Sequence, residues 1–345
     1  MESLTRQQVI DVITGKSAAP RIPVALHFWS GSGAFPEDKR DFVESVRNRY
    51  PSDVDFKSFE FPTAYYGSES DPSFRWINYK EPPETDGAEV GLDSNNYIED
   101  FEAEIDLFVN SMPKASFKEL FSGSTPGDGT KYSVCHWWFC LFERHWWLRG
   151  MENALTDYYL YPEAVHKLFR GLTDLYKGVI IRAREELNVD AIFTSDDLGT
   201  QAGPFFSNEI FEKFFKPYYK EIIDTVHENG MQFWLHACGN IEPFIPHFID
   251  VGVDVLHPIQ KYALDETEIV KKYGGKICFW AGFDVQQIIP YGTADDVKKE
   301  VKHLIETYNR PDGRLILTAG NAITGDCPLD SYEALYRACY EPDLI

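Results

Sequence analysis

Residues 207–240 read SNEIFEKFFKPYYKEIIDTVHENGMQFWLHACGN, and this stretch decides the fold. Its first part, Ser207–Asn229, carries the punctuation of a helix. Ser207 stands as an N-cap, Glu209 falls in the first turn, and Gly230 follows as a natural C′ residue. Its second part, Met231–Ala237, is a short β-rich run. A long amphipathic stretch that hands over to a short strand is the unit of a parallel α/β repeat.

The same alternation extends in both directions. Candidate strands occupy Ile22–Phe28, Val54–Glu60, Tyr132–Phe139, Asp190–Asp196, Met231–Ala237, Val253–Pro258, Lys276–Gly282 and Arg314–Gly320. Eight parallel strands are the number that closes a barrel. Helical patterns lie between them. Thr293–Tyr308 opens with a Thr cap followed by Asp295 and Asp296, which suit the positive end of a helix dipole. Pro162–Leu187 and Pro328–Cys339 each carry a Pro in the first turn. The expectation is an α/β chain forming one (β/α)8 TIM barrel over residues 1–345. The segment Phe61–Phe121 is long, acidic and rich in turn residues. It is expected to be an insertion over the C-terminal mouth after the second strand, where barrel loops carry function. A doubly wound open sheet is the alternative fold. As a nucleotide binder it would need a Gly-rich phosphate loop, and Trp29-Ser30-Gly31-Ser32-Gly33-Ala34 lacks both GxGxxG spacing and a P-loop Lys.

Composition bounds the rest. Of the 345 residues, 43% are apolar, enough for a large core, and 15% are aromatic, enough to line a pocket as well. No apolar run approaches the ~20 residues that cross a bilayer. Met1–Arg6 lacks the basic-then-apolar pattern of a signal peptide. Six sparse cysteines without disulfide spacing point to reduced thiols and a cytoplasmic setting. A formal net charge of −22 argues against nucleic acid and anionic membranes as partners. It also disfavours a polyanionic substrate, unless a local basic pocket reverses the field.

The sharpest chemical signal is His236-Ala237-Cys238-Gly239. Alternate strand residues share a face, so His236 and Cys238 project together from a strand end. Imidazole and thiolate are zinc ligands, and Gly239 permits a sharp turn just beyond. The plainer alternative is a His and a Cys packed in the core. Cys327, past the eighth strand, is the candidate third ligand, or else a Cys near a helix start. Asp196 and Asp197 end the fourth strand, and two adjacent acids leaving an apolar strand are costly to bury unpartnered. They are candidates for metal ligation, acid–base work or substrate binding. Asp284, ending the seventh strand, is expected to bind substrate or orient His236. Helix capping is the alternative for all three acids. His257 and Gln260 end the sixth strand and are assigned to the same mouth, or to structure. The run Cys135-His136-Trp137-Trp138-Phe139-Cys140 reads as core and pocket wall, with Trp137 as the substrate contact. Such a wall suits an aryl group or a quaternary ammonium.

With these residues laid out, the chain resembles the uroporphyrinogen decarboxylase superfamily. The likeness runs over most of the chain and is strongest from about Asp196 onward. It rests on Ser195-Asp196-Asp197-Leu198-Gly199, His227-Glu228-Asn229-Gly230-Met231, His236-Ala237-Cys238-Gly239-Asn240, Gly252-Val253-Asp254-Val255-Leu256, Trp280-Ala281-Gly282-Phe283-Asp284 and Pro328-Leu329. The resemblance implies a (β/α)8 barrel. It also implies one of two activities: cofactor-free decarboxylation of a polycarboxylate tetrapyrrole, or zinc-dependent methyl transfer between a corrinoid protein and a small methyl donor or acceptor. The decarboxylase carries an Arg-rich motif after its first strand. Here that loop reads Leu26-His27-Phe28-Trp29-Ser30-Gly31-Ser32, without arginine. An octa-anionic ligand would find repulsion and few bidentate partners. The methyltransferase branch is similar in its His-x-Cys, which maps onto His236 and Cys238. Its second Cys directly follows a glycine after the last strand. Here Gly320 is followed by Asn321, and Cys327 lies further along. The resemblance therefore implies zinc on His236 and Cys238, completed by Cys327, Asn321, Asp196 or water. His27, Trp29, Trp137, His257, Gln260 and Asn321 are assigned to substrate, and Asp196, Asp197 and Asp284 to catalysis. Members of the superfamily are often dimers or monomers, so a homodimer is one expected assembly. A non-catalytic barrel that binds a small molecule is the remaining alternative.

Overall fold

The computed structural model describes residues 2–82 and 96–341. Seven parallel strands form one sheet: β1 (Val54–Ser58), β2 (Tyr132–Trp137), β3 (Ala191–Ser195), β4 (Gln232–His236), β5 (Val255–His257), β6 (Cys278–Phe283) and β7 (Leu315–Ala319). They pair strictly in sequence order from β1 to β7. The sheet curls into an open half-barrel, with helices in the connections between its strands.

The expected closed eight-stranded barrel is corrected at its first strand. Within Ile22–Phe28, a single bridge pairs Val24 with Leu317 of β7. Ala25 N–H donates to Leu317 O at 3.0 Å, and Leu317 N–H donates to Pro23 O at 2.9 Å. On the other side, Asp53 N–H donates to Val24 O at 3.1 Å. The segment thus meets both edges of the sheet by isolated bonds rather than a ladder. Pro20 and Pro23 have no N–H to contribute, and the chain winds at once into the 3-10 turn Leu26–Phe28.

An aromatic set fills the concave side. Phe56 stacks on Trp280 at 5.8 Å and 16°, and Phe193 and Trp234 each pack edge-on against Trp280 at 5.3 and 5.1 Å. Outside the sheet, the helix Pro162–Leu187 buries Leu168, Leu172, Leu175, Tyr176 and Val179 along one stripe. Each such side chain contributes about 1.5–3 kcal/mol by leaving water.

Strand register is pinned by a repeated device at the strand starts. Asp53, Asp190 and Asp254 each precede a strand, and each accepts a backbone N–H from the preceding segment. These donors are Val24 at 2.8 Å, Ser133 at 3.0 Å and Phe233 at 2.8 Å. Each carboxylate also meets a cationic or titratable partner: Arg21 at 2.5 Å, Arg6 at 2.6 Å and His227 at 2.8 Å. A one-residue slip would turn every side chain to the opposite face, and these bonds oppose it.

The helix expected over Ser207–Asn229 forms without a gap from Asn208 to Glu228, but it carries a π-helical turn. Ser207 caps as expected, accepting from Ile210 N–H at 3.4 Å. Phe211–Phe215 then forms a π-helical turn before the α-helix Lys216–Glu228. Pro217 lacks the N–H that would continue the α ladder, so the wider turn absorbs the lost bond. Gly230 ends the element at φ +70°. The Thr293 cap is present as a full capping box with Asp296.

Within the segment Phe61–Phe121, residues 83–95 lie outside the described residues. The described part holds one helix, Phe101–Ser111. It is tied to the flank of the fold by Arg149, which donates to Ile98 O and Glu99 O, and by Arg182, which donates to Ala115 O and Phe117 O. Its first residues reach the mouth. Phe61–Ala64, with Trp138, Phe139 and Trp147, line a cleft of about 330 Å³. Among the described residues, no helix is long and apolar enough to cross a membrane. All six cysteines are free.

Candidate metal centre

The ends of β3 and β4 lie side by side, with Ser195 paired to His236. The two residues that follow each strand therefore meet. Cys238 N–H donates to Asp197 Oδ1 at 2.7 Å. Cys238 Sγ lies 3.2 Å from His236 Nε2, and Asp197 Oδ1 lies 3.4 Å from the same nitrogen. One ligand atom each from Asp197, His236 and Cys238 falls within 4.8 Å of the others. Gly239 makes this approach possible. It holds φ +84° against Gly199, where any Cβ would lie 2.2 Å from a backbone oxygen.

The donor set fits zinc. A tetrahedral zinc with ligands at about 2.0–2.3 Å sets them roughly 3.3–3.8 Å apart, and imidazole, thiolate and carboxylate are its usual partners. Three protein ligands leave a fourth position open, as in catalytic rather than structural zinc sites. Burial, with Asp197 and Glu143 alongside, pushes the Cys238 thiol well above its ordinary range. A bound cation reverses that logic and takes the thiolate. Burial likewise pulls His236 down toward the neutral form that ligates.

Aromatic rings close over this cluster. Trp29 lies 5.4 Å from His236 and stacks on His257 at 4.9 Å and 9°. Trp138 stands edge-on to His236 at 6.3 Å and is 39% exposed. On the other side, Cys238, Gln260, Asp284, Gly320 and Asn321 border a small cavity of about 70 Å³. Gln260 Oε1 accepts from Gly239 N–H at 2.5 Å, which fixes the turn after Cys238.

The sequence profile of uroporphyrinogen decarboxylase (URO-D) matches residues 148–342. The chain belongs to the URO-D family. No curated protein sequence matches it significantly. Among solved structures, a methyltransferase from Methanosarcina mazei is similar in fold. It has 14% identity and a TM-score of 0.59 over 99% of this chain and 100% of that one. An L-ribulose 3-epimerase gives 11% identity and a TM-score of 0.45 over 94% and 95% of the two chains.

Several expectations for this URO-D member are corrected by the geometry. Cys327 does not join His236 and Cys238. It is buried, its thiol faces Ile289 O at 3.7 Å and Pro328 O at 3.5 Å, and burial lifts it to about 12. The chain after β7 runs down beside Ala34 and Pro36 at Gly325, which carries Cys327 beneath the next helix. Beside His236 and Cys238 the third donor atom is instead that of Asp197. Asp196 is a fully buried cap. It accepts from the N–H groups of Leu141, Phe142 and Glu143 at 3.2, 3.1 and 2.7 Å, and from Tyr219 Oη at 2.6 Å. Burial raises its carboxyl to about 6 against those four bonds. Asp284 caps too, accepting from Gln286 and Gln287 N–H at 2.8 and 3.0 Å and from Tyr262 Oη at 2.8 Å. Trp137 faces outward onto Tyr176 at 5.4 Å, because it sits one residue out of phase with the inward His136 and Trp138. His27 turns toward the outer helices, with Nε2 on Arg47 O at 3.1 Å and its ring on Tyr336, and burial lowers it to about 4.

Glu143 was not foreseen, and within the expected aromatic wall the substrate contact was placed on Trp137 rather than Trp138. Trp138 was findable, because it continues the alternation of His136 one residue past the end of β2. Glu143 gave no local signal. It sits 6% exposed in the first turn of the helix Phe142–Arg149 and accepts from Ser195 Oγ. Burial, Asp197 and Asp196 push its carboxyl well above the ordinary range.

Proposed function

We propose that this URO-D family member is a zinc-dependent methyltransferase. It moves a methyl group between a small methylated substrate or acceptor and a corrinoid protein docked over the mouth. The observation that carries the reading is the triad of Asp197, His236 and Cys238 at adjacent strand ends, with donor atoms within 4.8 Å. The fold likeness to a methyltransferase supports the same reading at the level of architecture.

In this reading Asp197, His236 and Cys238 hold the ion. Once bound, zinc supplies Lewis acidity that turns a thiol acceptor into thiolate or polarises the ether oxygen of a donor. Gln260 and Asn321, beside Cys238, orient the small substrate in the adjoining cavity. Trp29 and Trp138 exclude water from the reacting side. Glu143, whose carboxyl is pushed well above its ordinary range by burial and by Asp197, stands beside the site as its proton-holding group.

The test is elemental analysis of the purified chain, supplied with zinc and free of chelator. Near-stoichiometric zinc in the wild type, lost in His236→Ala and Cys238→Ala, is expected. Methyl transfer from methyl-corrinoid to small thiols should be lost in the same two variants. A wild type that takes up no metal would end this reading.

A further inference from the structure

His257 was expected to touch substrate, yet it has no access to one. Its ring is fully buried, stacked on Trp29 at 4.9 Å and held 4.5 Å from Trp280 at 47°. Both of its nitrogens have partners. Nε2 lies 2.9 Å from the carbonyl oxygen of Ala319. That oxygen only accepts, so Nε2 carries the hydrogen. Nδ1 lies 2.7 Å from His236 Nδ1. A second proton on His257 would bury a full positive charge in a dry interior, on a ring packed between Trp29 and Trp280. His257 Nδ1 is therefore a lone pair, and His236 Nδ1 must donate to it. A neutral imidazole has one N–H, so His236 Nε2 is left as a lone pair. It is this nitrogen that faces Cys238 Sγ at 3.2 Å and Asp197 Oδ1 at 3.4 Å.

We propose that His257 is a positioning residue: through Ala319 O it fixes the tautomer of His236, so that the Nε2 lone pair points at the Asp197–Cys238 cluster. Metal-binding histidines commonly donate their second nitrogen to a carboxylate or a carbonyl. Here another histidine, itself locked by a main-chain carbonyl and two indoles, serves that purpose. The arrangement ties the ends of β4, β5 and β7 together, so His236 is oriented from three strands. The value of this tautomer to the enzyme rests on the metal reading above.

The test is histidine tautomer spectroscopy by nitrogen-15 NMR on the full metal-free chain, with zinc affinity measured by chelator competition. In the wild type, His236 should appear as the Nδ1–H form. In His257→Phe the Nε2–H form should grow, and zinc affinity should fall by about 10–100-fold. His257→Asn places a carbonyl oxygen near the lost Nδ1 and should recover the Nδ1–H form and most of the affinity. If His257→Phe does not fold, the wild-type spectrum and the Asn variant still decide. A wild-type His236 in the Nε2–H form would overturn the proposal. So would a folded Phe variant that binds zinc as tightly as the wild type. A wild type showing the Nδ1–H form but taking no zinc would refute the methyltransferase reading and leave the positioning role standing.

Discussion

The main-chain amide of Cys238 donates to Asp197 Oδ1 at 2.7 Å, while the same oxygen lies 3.4 Å from His236 Nε2. Asp197 is thus held in place by the backbone of one neighbour and faces the ring of the other. Its carboxylate is positioned before any ion arrives, whereas Cys327 is committed to carbonyls elsewhere. Asp197→Asn should lower zinc affinity at least about tenfold, and Cys327→Ser should leave it unchanged. Chelator competition on the two variants checks both. Loss of zinc in Cys327→Ser would return that residue to the ligand set.

Asp196 differs from its neighbour in what its loss should cost. It accepts three N–H groups that open the helix Phe142–Arg149, and the hydroxyl of Tyr219 as well. Asp196→Asn turns an amide NH2 toward buried donors and should destabilise the fold by about 2–3 kcal/mol. Denaturant unfolding measures the loss. Zinc content per folded molecule should stay at the wild-type level, since this carboxylate is turned away from the donor triad.

The two adjacent tryptophans of β2 and its loop should separate cleanly. Trp137 is 1% exposed and packs on Tyr176, so Trp137→Ala should cost about 3–5 kcal/mol. Trp138 is 39% exposed beside His236, so Trp138→Ala should change stability by less than about 1 kcal/mol. Under the proposed function, Trp138→Ala weakens substrate binding instead. Thermal melts, with KM under the proposed assay, distinguish the two positions.

The His227–Asp254 pair at the base of β5 makes stability depend on pH. The hydrogen bond to Asp254 raises the His227 pKa above its ordinary value, against a smaller opposing effect of burial. A raised folded pKa means that the contribution is complete below the unfolded value of about 6.5 and is lost as pH rises through the folded one. Both side chains are partly exposed, at 39% and 26%, so the contribution is about 0.2–1 kcal/mol. His227→Gln should therefore be less stable than the wild type near pH 5.5 and converge with it near pH 9. A gap that widened with rising pH would contradict this assignment.

Local chemistry in the chain determined much of this protein. The cap at Ser207, the capping box at Thr293 and the glycine at 230 set helix ends through bonds within a few residues. Period-two spacing alone put His236 and Cys238 on one face, since a strand offers no other arrangement. Seven of the eight expected strands formed, because their β-rich runs pair with immediate sequence neighbours. Only the tertiary structure decided the rest. Whether Ile22–Phe28 would join as a strand depended on which N–H groups two prolines left for Leu317 to meet. Asp196 and Asp197 are chemically identical neighbours, and their fates diverged because one faces a helix N-terminus and the other faces His236. By ligand chemistry Cys327 was the expected third donor, and Asp197 was assigned to catalysis. The path of the chain after β7 buried one against carbonyls, and the pairing of β3 with β4 delivered the other. A one-dimensional pattern cannot encode such choices, because they depend on which strand ends lie side by side, and that is settled only when the sheet forms.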